Sequence, residues 1–459
     1  MSINDDSRFD KLKAAISKMH KVVKRGFSVM DQMPELVKDA QKDKYDPEWV
    51  ETSEVDSRIQ QRRYGTTQAA EMVGISVGTL YAAEQDGRLP PPEYRTDTAK
   101  KVRAGYTVNH INHMQRVLGT SPSKPENLPA AICGVLNLKG GSHKTTTCHL
   151  FSQYLAMRGY KCLVLDTDPQ GSLSFYFGKR PDYDIKYENT FAPFILEDDA
   201  ALREVGHPRG SSKNLRYAIQ KTYWDNIDII PSCLENLAID LLLPQLMEAS
   251  RKPKIEFIAK LREGLREVGK DYDFIIIDGT PSLNMTTLNV VSACDVVFVP
   301  TPAALLDFAS TLQFSKLISD TARSYIDMGV APHLPDLRYF ITKFSGSSYA
   351  QFFGQIIRKV FTVERGDVLT AEAHASDEIG KANASTYSIY EKNPSDADNR
   401  KKLKSTIEMY DRLFAEMHDA LTETVFGDAM RGSHLDKIDE IVAKAGEARK
   451  EIRDAGHAE

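Results

Sequence analysis

The sequence predicts an α/β protein. A doubly wound, mostly parallel sheet carrying a phosphate loop (P-loop) is preceded by an all-α N-terminal helix and a winged helix-turn-helix. Three observations predict this. Four short apolar runs, beginning at Ala131, Cys162, Phe274 and Val296, are unbroken, as strands buried on both faces are. Helix-compatible stretches separate them, the βα alternation of a parallel sheet. A Gly-rich turn ending in Lys-Thr follows the first run.

Residues 1–50 open the chain as a helix and linker. Phe9, Ile16, Val23 and Met30 recur every seven residues, Leu12, Met19 and Met33 interleave, and Gly26 is the gap. Such a seam pairs with another helix, either a partner copy's, giving a dimer, or one of its own domain. Pro34 argues against continuation. Residues 40–56 are charged, contain Pro47 and read as a linker.

Residues 57–118 carry helix-turn-helix grammar. Thr67 can cap a helix bearing Ala70 and Val73; Gly74 makes the turn; Ser76 caps a second helix bearing Leu80 and Ala83; Gly87 ends it. The segment holds nine Lys/Arg against five Asp/Glu, whereas the whole chain has a net charge of −5. A locally basic helix-turn-helix is a footprint of duplex binding. The second helix would offer Ser76, Val77, Thr79 and Tyr81 to base edges, with Arg88, Arg95, Lys100 and Lys101 on phosphates. The segment resembles winged DNA-binding heads of the MerR type, with Tyr94-Arg95 and Tyr106-Thr107 in the wing. Residues 119–129, rich in Pro and Ser, read as a second linker.

The domain at 130–425 begins with the strand from Ala131 and the loop Lys139-Gly140-Gly141-Ser142-His143-Lys144-Thr145-Thr146. Glycines let backbone N–H groups approach phosphates, and a helix N-terminus adds positive charge. Lys144 suits the β/γ charge and Thr145 suits Mg²⁺. Two features depart from the common pattern: His143 stands where glycine usually precedes the lysine, and Lys139 is an extra lysine. The strand from Cys162 ends in Asp166-Thr167-Asp168-Pro169-Gln170, and that from Phe274 ends in Asp278-Gly279-Thr280-Pro281. Carboxylates at strand C-termini lie where open α/β sheets bind ligands.

These three motifs, in this order, resemble those of the ParA/MinD ATPases with a deviant Walker A loop. The resemblance covers roughly residues 130–425. It implies an ATPase using ATP/ADP and Mg²⁺, with Gly140–Thr146 on the nucleotide. It implies Lys139 and Lys144 as catalytic cations, Lys139 reaching across a sandwich dimer. Asp168 would place the attacking water; Thr145, Asp166 and Asp278 would serve the metal. Relatives usually read Asp-Thr-Pro-Pro here, and Gly279-Thr280-Pro281-Ser282 is a near match. The N-terminal head matches the larger plasmid partition ATPases, which repress their own operon with ADP, bind DNA nonspecifically with ATP, and respond to a ParB-type centromere-binding protein. Plasmid or secondary-chromosome cargo, and dimer or DNA-bound filament, stay open. A dedicated nucleotide-responsive repressor is the alternative. Lys343, Arg358, Lys359, Arg400, Lys401, Lys402 and Lys404 are the candidate nonspecific DNA contacts.

Composition narrows the classes further. Apolar content of 41% supports a sizeable core. With no run of 18 apolar residues and an acidic N-terminus, the expectation is a cytoplasmic protein without a membrane span, and the resemblance to partition ATPases implies association with the nucleoid. Five scattered cysteines read as reduced core residues, and no pair has the Gly-rich setting of a bridging cluster. Residues 430–459 are a charged helix or tail. The apolar stripe Ile438, Ile441, Val442 and Ala445 is too narrow for a membrane anchor.

Overall fold

The computed structural model describes residues 60, 62–95, 102–327, 333–384, 387–394 and 399–427. The expected N-terminal helix, the C-terminal tail, Lys100 and Lys101 lie outside the described residues. The described residues divide into two compact units, one within 62–375 and 407–427 and the other including 376–406.

One sheet holds β1 (Ala131–Val135), β2 (Cys162–Asp166), β3 (Gln220–Lys221), β4 (Ile227–Ile230), β5 (Phe274–Asp278), β6 (Val296–Pro302), β7 (Asp336–Phe344) and β8 (Ala373–His374). Its order is β3-β4-β2-β5-β1-β6-β7-β8. Only the β3–β4 pair is antiparallel. Every residue of β1, β2, β4, β5 and β6 is buried, which is why β1, β2, β5 and β6 begin as unbroken apolar runs, while β4 carries a buried Asp228. The two-residue strands β3 and β8 are too short for a sequence pattern to reveal. They lie at the edges, where short strands limit unwanted pairing.

Winding reverses at β1. The chain runs from β1 out to β2 and β4, returns to insert β5 between β2 and β1, then crosses to β6 on the far side. The crevice outside the C-terminal end of β1 is thus the ligand position of an open sheet. Register sets Asp278 of β5 beside Val135 of β1 and beside Asp166 of β2, so two carboxylates meet at the mouth of the crevice.

The helix Lys144–Met157 following β1 is buried along most of its length. Phe151 packs edge-on against Phe298 of β6 and lies 5.5 Å, centroid to centroid, from Phe414. Phe414 and Tyr410 are fully buried on the helix Arg400–Phe426.

The described residues before the sheet form three helices. The first, Thr66–Val73, starts one residue before the anticipated cap, because extended Gly65 takes the cap position. Gly74 (φ 80°) makes the left-handed turn. Ser76 caps Val77–Gln85, its Oγ accepting the Thr79 N–H, and Thr107 caps Val108–Leu118. Antiparallel bridges join Tyr64 to Tyr106 and Tyr94 to Arg103.

This segment is seated on the sheet domain within one unit, and 119–129 does not set it apart. Asn109 donates to Tyr223 O (3.2 Å) and accepts from the Asp225 N–H (3.0 Å). Arg116 donates to Asn226 Oδ1 (2.8 Å), whose amide donates to Gly159 O (3.0 Å). Gly159 has φ 97°, and a Cβ there would run into the Gln115 amide and come within 2.9 Å of Pro122. Val108–Leu118 therefore sits against the C-terminal end of the helix Lys144–Met157.

Candidate active site

The site is the loop from β1 to the helix Lys144–Met157, faced by the ends of β2, β5 and β7. Asn137 fixes the loop's entry. Its amide donates to Pro300 O (2.8 Å) and Thr311 Oγ1 (3.0 Å), and its Oδ1 accepts the Lys139 N–H (3.1 Å). Sequence reasoning missed Asn137; a lone polar residue inside an apolar run was the available signal.

Gly141 (φ 69°) and His143 (φ 77°) both take left-handed backbone. For a residue with a Cβ this costs about 1–2 kcal/mol, which is the physical reason glycine usually precedes the lysine. His143 carries that strain here. Burial and the nearby Lys343 charge push its pKa down to about 4, so the ring is neutral at pH 7. Its Nδ1 is buried without a hydrogen-bond partner. Ser142 is buried with an equally unpartnered hydroxyl, Gly140 is exposed and Thr146 half-buried.

Lys144 is buried and its Nζ donates to the carbonyl of Lys139 (3.1 Å). Burial pulls its pKa down, and the charges of Asp278 and Asp168 oppose that pull. Lys139 itself is half-buried at the loop's entry.

The two carboxylates at the strand ends differ in environment. Asp166 is fully engaged: Oδ2 accepts the N–H (2.8 Å) and hydroxyl (2.7 Å) of Ser174, and Oδ1 accepts the Asp168 N–H (3.2 Å). Burial still pushes its pKa up to about 7. Asp166 thus braces the loop that carries Asp168. Asp278 is buried with neither oxygen hydrogen-bonded. Burial, then the charge of Asp166, holds its pKa well above the carboxylate range; Thr145 and Lys144 draw it down, Thr145 from beyond hydrogen-bond geometry. An orphaned buried carboxylate beside a hydroxyl is a hard-oxygen setting, and such a donor set fits Mg²⁺. Asp168 is half-buried, and its Oδ1 accepts the Gln170 N–H (3.0 Å).

Gly279 follows Asp278 with no room for a side chain, since a Cβ would collide with Leu136.

Other candidate residues lie elsewhere. Ser76, Thr79 and Tyr81 are exposed and Val77 half-exposed, but the Ser76 hydroxyl is paired with that of Thr79 (2.8 Å). Arg103 stacks 4.4 Å over Tyr81 while bridging to Glu84 (2.7 Å). Arg88 is bridged to Asp86 (2.8 Å), so part of the local basic excess is neutralised within the segment. Arg95, Lys359, Arg400 and Lys401 are exposed. Arg358 holds the following loop through Leu369 O, Thr370 O and Glu372, and Lys402 pairs with Asp377 (2.6 Å). Lys343, expected on a DNA surface, ends β7 beside the phosphate loop. A Cβ on Gly141 would lie 3.7 Å from its Nζ.

All five cysteines are buried free thiols, and the described residues hold no cluster of three or more metal-ligating His, Cys, Asp or Glu. Among the described residues no helix is long and apolar enough to cross a membrane.

Comparison with known proteins agrees with this geometry. The family described as "AAA domain" matches residues 130–327. Protein SopA of Escherichia coli (strain K12) is 33% identical over 363 residues, covering 78% of this chain and 88% of SopA. Plasmid partition protein A of Escherichia coli is 22% identical, covering 67% of this chain and 79% of that protein. A solved structure described as "Partition Protein" shares the fold at TM-score 0.53 and 20% identity, covering 76% of this chain and 92% of its own. With the Lys139–Thr146 loop and the Asp166 and Asp278 strand ends in place, the chain belongs to the ParA/MinD-type partition ATPases.

Proposed function

We propose that this chain is a DNA-segregation ATPase that binds ATP and Mg²⁺ at Gly140–Thr146 and works as a nucleotide-bridged homodimer. The observation that carries the site assignment is Asp278, a buried carboxylate with no hydrogen-bond partner facing Lys144 and Thr145. In this reading Thr145 and Asp278 hold the cation, which supplies charge neutralisation between the β- and γ-phosphates. Asp166 keeps the Asp168 loop in place, and Asp168 positions the attacking water. Lys144 leaves the Lys139 carbonyl for the phosphates of its own site. Lys139 serves those of the partner's. Phosphoryl transfer depends mainly on such positioning and charge stabilisation, so few groups need to change protonation.

The ATP-bound dimer would bind duplex DNA without sequence preference through basic residues such as Arg400 and Lys401. A ParB-type partner would stimulate hydrolysis and so time DNA release. The segment 62–118 would read an operator, with Val77, Thr79 and Tyr81 on the exposed face of the second helix and Arg95 toward the backbone. Its helix-turn-helix geometry and exposed second helix support this, as does the likeness to SopA over most of both chains. The test is mobility shift on two probes, nonspecific duplex and the DNA upstream of the gene, each with ADP and with ATP. Specific binding with ADP and sequence-independent binding with ATP is the expected result. Specific binding indifferent to nucleotide would mark a plain repressor, and no DNA binding would overturn the assignment.

A further inference from the structure

We propose that Lys343 is a nucleotide ligand, a third ammonium serving the phosphates of its own subunit's loop beside Lys144; this rests on the ATP-binding reading above. Lys343 is separated from the loop by about two hundred residues of sequence, and β7 delivers it there. Thr342 pins the strand end, its Oγ1 donating to Ser142 O at 3.3 Å. Lys343 then takes left-handed backbone (φ 51°), a conformation L residues rarely adopt. That backbone carries the side chain to the loop, with Nζ 3.7 Å from where a Gly141 Cβ would stand. Among the described residues its ammonium makes no ion pair, unlike Arg88, Arg358 and Lys402.

The surroundings favour an anion. Lys343 adds positive charge beside a loop that already carries Lys139 and Lys144. Like charges gathered at one loop repel one another, and an anionic ligand relieves that repulsion. Backbone strain held at such a point is characteristic of ligand clamps. A polyphosphate in the loop would satisfy the ammonium, and the Thr342–Ser142 bond would carry the ligand's presence into β7.

The test uses the full chain and a slowly hydrolysed fluorescent ATP analogue with Mg²⁺, titrated without DNA. Lys343→Gln should weaken binding about tenfold or more, the usual scale for losing a charge-assisted contact. Lys343→Arg should restore most of the affinity. Lys343→Gly, which the left-handed backbone accepts, should lose affinity like Gln with an unchanged melting temperature, separating ligand loss from misfolding. Lys316→Gln, at an exposed lysine paired with Asp320, should bind as the parent does. If Gln and Gly variants bind the analogue with parental affinity, Lys343 is no nucleotide ligand, whatever happens to DNA binding. If the parent chain itself binds no analogue, it is the ATP-binding reading that fails.

Discussion

Asp278→Asn should stabilise the metal-free protein and destroy its response to Mg²⁺ and ATP. In the free protein a carboxylate is buried with both oxygens unpartnered, next to Asp166. Burial and that neighbour raise the pKa of Asp278, and Asp166 is pushed up to about 7. For an acid with a raised folded pKa, the native state binds the extra proton. Stability is therefore highest below the unfolded value, about 3.9, and falls as pH rises toward the folded pKa. Asn has the shape of the neutral acid and cannot ionise. At pH 8 it should remove a penalty on the order of 1–3 kcal/mol, the usual cost of an uncompensated buried polar group. At about 2 °C per kcal/mol for a unit of this size, the melting temperature should rise by roughly 2–6 °C in EDTA. With Mg²⁺ and ATP at about 100 times the dissociation constant the parent gains about 2.7 kcal/mol, and the variant gains little. Thermal melts with and without ligand should thus reverse the order of the two proteins. A variant less stable than its parent in EDTA at pH 8 would refute the argument, because Asp278 would then hold a partner that the geometry does not contain.

Four further outcomes are expected. Metal-free parent protein should lose stability as pH rises from about 4 to about 7, the interval between the unfolded and folded pKa of Asp166, and level off above it, and saturating Mg²⁺–ATP should flatten that slope in the same melts. His143→Gly relieves left-handed strain of about 1–2 kcal/mol but adds unfolded-chain freedom of about 0.5–1 kcal/mol, so its stability should change by less than about 1.5 kcal/mol; His143→Val, β-branched at φ 77°, should destabilise by more than Gly in urea titrations. Gly159→Ala should destabilise by at least about 1 kcal/mol more than Gly206→Ala, since both have left-handed backbone but only Gly159 is packed against Gln115 and Pro122; hydrogen exchange should show 62–118 loosened in the first variant alone. Lys139→Ala should keep ATP affinity within about threefold while losing the ATP-dependent dimer, a split that binding titration and light scattering can read and that unchanged dimerisation would contradict.

The sheet was readable where burial on both faces forces unbroken apolar runs, as at Phe274–Ile277 and Val296–Val299. It was unreadable where two residues sufficed, as in β3 and β8. The loop and both strand-end carboxylates were visible because phosphate and metal chemistry demand particular residue types at short spacing. Their division of labour was not: Asp166 is filled by Ser174, while Asp278 stays open, and only tertiary placement decides that. His143 stood out as a substitution in the pattern, but its cost became clear only from its backbone angle. Lys343 looked like one surface cation among several, because no local pattern tells which strand end will reach the loop. The Pro- and Ser-rich stretch 119–129 read as a linker, yet Asn109 and Arg116 fasten the helix before it to the sheet domain. Contacts made by scattered polar side chains leave no periodic trace.

That fastening has a consequence for how the protein and its DNA can change over time. With Val108–Leu118 fixed to the far end of the phosphate-loop helix, the first segment cannot swing independently of the ATPase face. On the proposed reading, when two copies meet through their nucleotides, the separation of their recognition helices is dictated by how those faces fit. Duplex DNA presents equivalent major-groove faces about every 34–36 Å, so half-sites must be phased to that separation. On that reading a mutation that re-angles the ATPase interface would also rewrite which operator spacing the protein accepts. Protein interface and operator would be obliged to drift together, or the regulatory activity would be lost while segregation persisted.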